Sequence, residues 1–191
     1  IYRLDRFIWE LAVQQLAKWQ KEGRDELYIS VNISTKDFQY MDVYQTITSL
    51  VERYGIIPST LKLEITETAI MMGNAGELET IGRFRNYGFE VDIDDFGSGY
   101  SSLNTLKDID VDVLKIDMGF LRTTRSERLE RSMSILNMII SLSKVLGLSV
   151  VTEGVETKEQ VSRLSQMGCG VYQGYYFSKP IPVHEFEERY M

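Results

Sequence analysis

Short runs rich in β-branched residues alternate with longer helical patterns along the chain, and this alternation limits the folds that the chain can adopt. A strand followed by a helix, repeated, is typical of βα units built around a parallel sheet. The predicted strands cover residues 27–33, 61–65, 90–94, 113–116, 149–153 and 171–175. We therefore predict an α/β protein whose strands lie side by side with helices packed over them.

The helical patterns carry recognisable start and stop signals. Gly88 and Gly147 follow two of them, where a left-handed residue commonly ends a helix. Thr157, with Gln160 three residues later, forms a capping-box pattern. The predicted helices cover residues 4–21, 42–54, 75–87, 128–146, 158–167 and 183–190, with a shorter one at 101–107. We find no linker or low-complexity segment, so we predict a single domain over residues 1–191.

Six strands leave the form of the sheet open. An open doubly wound sheet and a closed barrel both fit the alternation. A (β/α)8 barrel typically needs about 250 residues, and this chain has 191. Because the chain begins directly on a helical pattern at Ile1, we take it as part of a longer chain, and a missing N-terminal stretch would bring a closed barrel to its usual length.

Each predicted strand brings a polar or charged side chain near its C-terminal end. These residues are Asn32, Glu64, Asp94 with Asp95, Lys115, Glu153 and Gln173. Successive side chains of a strand point to opposite faces, so the apolar neighbours can face the helices while the polar residues converge. Functional residues gather at the C-terminal ends of parallel strands in barrels and in open sheets. A buried salt-bridge network is the alternative, but burying several carboxylates is costly unless they are paired or bind a metal.

The residue types in this group favour a hard divalent cation. Zinc sites need clusters of Cys and His, and the chain has one cysteine, Cys169, and one histidine, His184, which we expect at the surface. Carboxylates with an amide oxygen suit Mg²⁺ or Mn²⁺. The adjacent Asp94 and Asp95 can each reach a different ion, and two ions about 3.5–4 Å apart are common in phosphodiester cleavage.

The composition restricts partners and compartment. The net charge is −7, which argues against binding a nucleic acid polymer through the overall field. The most apolar stretch, 138–151, is interrupted by serines and a lysine, so we expect no membrane span. A single cysteine allows no disulfide within the chain and fits a reducing cytosol. We expect a cytoplasmic domain, which upstream segments could still tether to a membrane.

Six sequence strings occur in the order and at about the spacing found in EAL domains, and they cover essentially the whole chain. The strings are VNIS at 31–34, EITET at 64–68, DDFGSGYSSL at 94–103, KID at 115–117, EGVET at 153–157 and QGYYFSKP at 173–180. The chain therefore resembles the EAL family of cyclic di-GMP phosphodiesterases. The resemblance implies hydrolysis of cyclic di-GMP to linear pGpG on a modified (β/α)8 TIM-like barrel with one antiparallel strand.

The resemblance also implies roles for individual residues. Asn32, Glu64 and Asp94 match positions that bind one metal ion, and Asp94 with Asp95 matches the bridge to a second. Lys115 matches the residue that holds the water and offsets developing charge, and Glu153 resembles the general base. The remaining matches are Glu67, which would anchor the loop after Asp95, and the supporting positions Asp117, Glu156 and Gln173.

The chain departs from the family at its N-terminal side. The Glu-Ala-Leu motif and the Arg-Trp that usually follows it are absent, and we expect both upstream, on two strands that would bring six to eight. If they are missing from the protein, we expect weak or no catalysis, and the alternative function is a non-catalytic cyclic di-GMP-binding module. An unrelated Mg²⁺-dependent barrel enzyme is a third possibility. Thr152 replaces the usual alanine before Glu153, a small change that we expect to be tolerated.

The resemblance implies partners as well as chemistry. EAL domains commonly form homodimers, so we expect a homodimer here. They commonly sit beside sensory or GGDEF domains, and the start of this chain at Ile1 is compatible with such a domain upstream.

Overall fold

Six strands form one sheet in the computed structural model, which describes residues 2–97, 109–117 and 126–191, without the side chains of residues 72 and 126–129. The strands follow one another across the sheet in chain order. They are β1 (Ile29–Ile33), β2 (Leu61–Thr66), β3 (Glu90–Phe96), β4 (Val113–Ile116), β5 (Ser149–Thr152) and β6 (Val171–Tyr172). Every neighbouring pair is parallel, so the predicted parallel α/β sheet is confirmed.

Helices occupy the connections between the strands. They are α1 (Tyr2–Lys21), α2 (Thr35–Tyr40), α3 (Val43–Tyr54), α4 (Glu67–Met72), α5 (Ala75–Tyr87), α6 (Ser126–Val145), α7 (Lys158–Gln166) and α8 (Val183–Tyr190), with a short 3₁₀ helix at Pro58–Thr60. The longer predicted helices are confirmed to within two residues at each end. The predicted helix at 101–107 lies outside the described residues.

The sheet is open between β1 and β6 across the described residues, and no antiparallel strand is found among them. The predicted six strands all exist, but the last one is shorter than predicted. It ends at Tyr172 because the chain turns at Gly174, where a Cβ atom would collide with the backbone of Val155. Only glycine allows this close approach of two backbones.

Two short helices, α2 and α4, were not predicted from the sequence. Each begins directly after a strand and is fixed by a local cap. The backbone N–H of Ser34 donates to Asp37 Oδ2 at 2.8 Å, and Thr66 Oγ1 accepts from the N–H of Ala69 at 3.3 Å. Short helices of this kind depend on caps rather than on hydrophobic periodicity. The hydrophobic pattern of the sequence therefore does not predict them.

The strands present different residues on their two faces. On β2, Leu61, Leu63 and Ile65 are fully buried beneath the helices. Each such side chain contributes about 1.5–3 kcal/mol through its burial. One hydrophobic cluster runs from Trp9 on α1 to Cys169 before β6. The outer face of the sheet therefore anchors the helices, and the charged strand residues lie on the inner face.

Two other expectations concern the surface. His184, on α8, is exposed, as expected. Among the described helices, none combines the length and the apolar character that a membrane span requires.

Candidate functional site

The strand register brings the predicted site residues to one end of the inner face. Asn32 pairs in register with Glu64, and Thr66 pairs with Asp94. Lys115 lies on β4, and Glu153 follows β5, where its N–H donates to the carbonyl of Ile116 at 3.1 Å. The carboxyl ends of β2 to β5 therefore carry these charged side chains to the same place.

Lys115 lies at the centre of this group. Its Nζ is 2.7 Å from Glu64 Oε1, 2.8 Å from Glu153 Oε1 and 3.3 Å from Asp94 Oδ1. The Lys115 side chain is only 5% exposed. One buried ammonium thus holds carboxylates from three other segments of the chain.

The electrostatics keep this ammonium charged. Burial alone would lower the pKa of Lys115, but hydrogen bonds to Glu153 and Glu64, together with the charges of both residues, outweigh burial and raise the pKa above its usual range. Burial and the charges of Asp94 and Glu64 raise the pKa of Glu153, and together they outweigh the lowering effect of Lys115. Glu153 is therefore a better proton acceptor than an ordinary surface glutamate.

A β-bulge places two adjacent aspartates on the same side. Strand β3 pairs with β4 at Ile93↔Leu114 and next at Phe96↔Ile116, so Asp94 and Asp95 together lie opposite Lys115. Asp95 has a φ of 55°, the one positive value among the non-glycine residues of the described ranges. Aspartate tolerates this left-handed conformation better than most residues. A regular strand would send the two carboxylates to opposite faces.

Three carboxylates of the site are close enough to share a metal ion. One oxygen each from Asp94, Asp95 and Glu153 lies within 4.8 Å of the others. Burial, followed by the charges of Asp94 and Asp117, raises the pKa of Asp95. Asp94 Oδ1 is buried, and apart from its ion pair with Lys115 at 3.3 Å it accepts no hydrogen bond from the part of the chain that the structure describes. A divalent cation would satisfy this oxygen and offset the carboxylate repulsion, so the donor set fits a hard metal.

Glu67 connects α4 to the end of β3. Its Oε2 accepts a hydrogen bond from the N–H of Gly97 at 3.0 Å, two residues after Asp95. Glu67 is 5% exposed. This contact lies where the sequence analysis predicted an anchor for the loop after Asp95.

The other predicted site residues lie farther from Lys115 or make different contacts. Asn32 is exposed on the inner face beside Glu64. Asp117 follows β4, and its N–H donates to the carbonyl of Phe96 at 3.3 Å. Gln173 is exposed and lines the inner-face cavity, whereas exposed Glu156 lies at the start of α7, where its N–H donates to Gln160. Their proposed roles stay predictions.

Asp92 is an inner-face carboxyl that the sequence analysis missed. It is 3% exposed and is paired in register with Glu64. Burial, then the charge of Glu90, raises the pKa of Asp92 to about 7, against the lowering effect of Lys62. Counting back by two from Asp94 would have placed Asp92 on the same face, because strand side chains alternate.

A cavity of about 320 Å³ opens on the inner face of the sheet. Its lining includes the charged residues Glu64, Asp92 and Lys115 and, from the segment around and after β6, Gln173, Gly174 and Phe177. The charged cluster is therefore reachable from a concave space, as a small-molecule site requires.

The family of the chain follows from comparison with known proteins. Residues 1–180 match the family model of the EAL domain. The chain belongs to the EAL domain family. Among curated proteins, the cyclic di-GMP phosphodiesterase RocR of Pseudomonas aeruginosa is 32% identical over 185 residues, which cover 96% of this chain and 47% of RocR. The chain spans less than half of RocR and about a quarter of several other relatives.

Solved EAL structures share the fold. The PaMucR phosphodiesterase in complex with c-di-GMP superimposes with a TM-score of 0.88 at 31% identity, over 96% of this chain and 74% of that one. The EAL domain of Mycobacterium smegmatis DcpA gives a TM-score of 0.87 at 30% identity, over 97% of this chain and 82% of that one. The predicted TIM-like barrel class is confirmed, with six of its strands in the described residues.

Proposed function

We propose that this EAL domain hydrolyses cyclic di-GMP to linear pGpG with a water activated at a divalent metal site. The observation that carries the proposal is the inner-face cluster in which Lys115 contacts Glu64, Asp94 and Glu153. Relatives and structural neighbours named as cyclic di-GMP phosphodiesterases support the choice of substrate.

The proposed metal ions are Mg²⁺ or Mn²⁺, and two ions are expected. Asp94 and Asp95 would hold them, with Asn32 and Glu64 as further ligands on the adjacent strands. A bound ion of this kind polarises a phosphoryl oxygen and lowers the pKa of a bound water. Oxygen-only donors of this type match the preference of these two cations.

The protein residues would handle the proton and the charge. Glu153 would accept the proton of the attacking water, because burial raises its pKa toward the working range of a general base. Lys115 would keep Glu153 and Glu64 in position and offset negative charge on the phosphoryl oxygens in the transition state. Glu67 would hold the backbone after Asp95 through Gly97.

The overall charge of −7 is compatible with an anionic substrate if cations occupy the site. The concave inner face beside Lys115 offers a space of about 320 Å³. The phosphates would face the charged cluster, and Gln173 and Phe177, which also line this space, would contact the rest of the dinucleotide.

Chromatography of cyclic di-GMP incubated with the protein and Mg²⁺ or Mn²⁺ tests the proposal. The reaction is run with this chain and, where the gene encodes more, with the full-length product. We expect pGpG to appear, and we expect Glu153→Gln to lower its rate about 10²–10⁴-fold, the usual contribution of general base catalysis. Asp110→Asn serves as a control, because Asp110 is 83% exposed and lies outside the charged cluster.

The outcomes separate two functions. Product formation that needs Glu153 supports the phosphodiesterase. Binding of cyclic di-GMP without product, in both proteins and with both metals, overturns it and leaves the non-catalytic binding module.

We also propose that the domain acts in the bacterial cytoplasm, as a homodimer and beside other domains of a longer protein. The support is that the relatives are bacterial proteins much longer than this chain. Light scattering on the purified protein measures the oligomeric state, and a monomer at all concentrations tested would contradict the dimer.

A further inference from the structure

Asp112 joins three strands and one helix at the end of the sheet opposite the charged cluster. Its backbone N–H donates to the carbonyl of Val91 on β3 at 2.9 Å, and its carbonyl accepts from the N–H of Ser149 on β5 at 3.0 Å. Its own position immediately precedes β4. The three segments that carry Asp94, Lys115 and Glu153 therefore meet at this one residue.

The side chain of Asp112 strengthens the connection to β3. Its Oδ2 accepts from the N–H of Val91 at 3.0 Å, so backbone and side chain both bind Val91. Arg85, in the last turn of α5, donates through Nε to both carboxylate oxygens at 3.1 Å and through Nη2 to Oδ1 at 2.8 Å. A carboxylate held by an arginine in this way has little rotational freedom. The Asp112 side chain is 30% exposed, so the contact is partly shielded from water.

The β3–β4 pair differs from the other strand pairs in that a bulge interrupts its register. Its regular register covers only Asp92↔Val113 and Ile93↔Leu114 before the bulge at Asp94 and Asp95 interrupts it. The pairings of β1 with β2, β2 with β3, and β4 with β5 continue without interruption. The position of Lys115 relative to the aspartates therefore depends on two contacts. On one side of the bulge are the two regular pairs and Asp112, and on the other side is the Phe96↔Ile116 pair.

We infer that Arg85 and Asp112 are positioning residues, which fix the register of β3 against β4 and thereby the placement of Lys115 among the site carboxylates. A slip of one residue would move Lys115 by about 3.3 Å and turn it to the outer face. Even a fraction of that displacement would exceed the tolerance of contacts that are 2.7–3.3 Å long. This inference rests on the proposed function for its activity readout.

The experiment compares Asp112→Asn and Arg85→Lys with the parent protein, all at a temperature well below each melting transition. Asparagine keeps an acceptor for Val91 but loses the ion pair, and lysine keeps the charge but loses the forked geometry. We expect kcat for cyclic di-GMP to fall at least 10-fold in Asp112→Asn and less in Arg85→Lys. We expect KM to change less than 3-fold, since misplacing Lys115 impairs the chemistry more than substrate binding.

Asp110→Asn is the matched control. Asp110 also contacts Arg85, at 3.2 Å through Nη1, but it is 83% exposed. We expect its kcat to stay within 2-fold of the parent value. If Asp112→Asn shows the parent kcat per folded molecule, with only a lower melting temperature, the positioning role is wrong and Asp112 serves stability alone.

A second measurement keeps the inference testable if the protein turns out not to hydrolyse cyclic di-GMP. Hydrogen exchange of the Val91 amide measures the strength of its hydrogen bond to Asp112. Mn²⁺ titration measures whether the site carboxylates keep the arrangement that binds a metal. We expect faster Val91 exchange and at least 5-fold weaker Mn²⁺ binding in Asp112→Asn. Unchanged values for both would overturn the positioning role, whereas an inactive parent with these changes would contradict the proposed function only.

Discussion

The two faces of the sheet are built from the same strands but carry opposite chemistry. On the outer face, Leu63 of β2 and Leu114 of β4 are fully buried under helices. On the inner face, their immediate neighbours Glu64 and Lys115 are also nearly inaccessible, yet they are charged and in contact with each other at 2.7 Å. Burial alone therefore does not distinguish the structural face from the functional one.

The difference lies in what compensates for burial. Apolar side chains gain free energy when they leave water, so the outer face favours folding directly. On the inner face, several charged groups lose their free energy of hydration, and the ion pairs with Lys115 offset only part of that loss. Asp92 Oδ1 accepts no hydrogen bond from the described residues, and Asp94 Oδ1 has only its ion pair with Lys115 at 3.3 Å. The proposed function gives the inner face a chemical role, and the predictions test whether the outer face serves stability and the inner face serves activity.

Replacing Lys115 by methionine should have the largest effect. The change keeps the length of the side chain but leaves Glu64, Asp94 and Glu153 without their shared cation. We expect kcat to fall about 10²–10³-fold and the free energy of unfolding to fall by about 3–5 kcal/mol. Steady-state kinetics and urea unfolding measure the two quantities.

Mn²⁺ titration of Lys115→Met tests whether Lys115 contributes to activity without contributing to metal binding. Removing a positive charge next to the carboxylates should tighten Mn²⁺ binding, although activity falls. Lys62→Met is the control, because Lys62 is an inner-face lysine that pairs with Glu90 at 2.6 Å, away from Glu153. A parallel loss of activity in both variants would mean that the activity depends on the inner-face lysines in general and not on Lys115 in particular.

Leu63→Ala should show the opposite behaviour on the outer face. Leu63 is fully buried, and leucine-to-alanine changes at such sites cost about 2–5 kcal/mol. We expect the melting temperature to fall and activity per folded molecule to stay within 2-fold. Val151→Ala, on the inner face opposite Lys115 in the register, should cost less because Val151 is only half-buried. A kcat loss in Leu63→Ala as large as that in Lys115→Met would contradict the division of the faces.

The sequence predicted the sheet well because each strand is a local signal. The strand predicted at 113–116 coincides with β4, and its β-branched residues and alternation are sufficient to predict it. Counting alternate residues also placed Glu64 and Lys115 on one face. Motif resemblance then pointed to Glu67, whose contact with Gly97 is present in the structure.

Other features depend on contacts between strands, and no local pattern contains them. The bulge that brings Asp95 beside Asp94 is a property of the β3–β4 pairing and of a φ of 55°. The connection of Arg85 with Asp112 joins residues 27 positions apart. Neither follows from propensity or periodicity, because both arise only when the strands are already in register.

Asp92→Asn should give the smallest effect, and its sign depends on pH. Burial and the charge of Glu90 raise the pKa of Asp92 to about 7 from the usual value of 3.8. Between these two values the folded protein keeps a proton that the unfolded chain has lost, so the free energy of unfolding falls as pH rises through this window. The total loss is at most about 4 kcal/mol, and less where water reaches the carboxyl. Asparagine cannot ionise, so this fall in the free energy of unfolding is absent from the Asp92→Asn variant.

We therefore expect Asp92→Asn to be more stable than the parent protein at pH 8, by about 1–3 kcal/mol, with the difference shrinking toward pH 5. Urea unfolding in the presence of a chelator, at several pH values, measures this difference without contributions from metal binding. Asp110→Asn, at a position whose side chain is 83% exposed, is the control for removing a carboxylate outside the inner face. If the Asp92→Asn and parent curves run parallel from pH 5 to pH 8, Asp92 is already ionised in the folded protein. The charges of Lys62 and Lys115 would then lower the pKa of Asp92 more than its burial raises it.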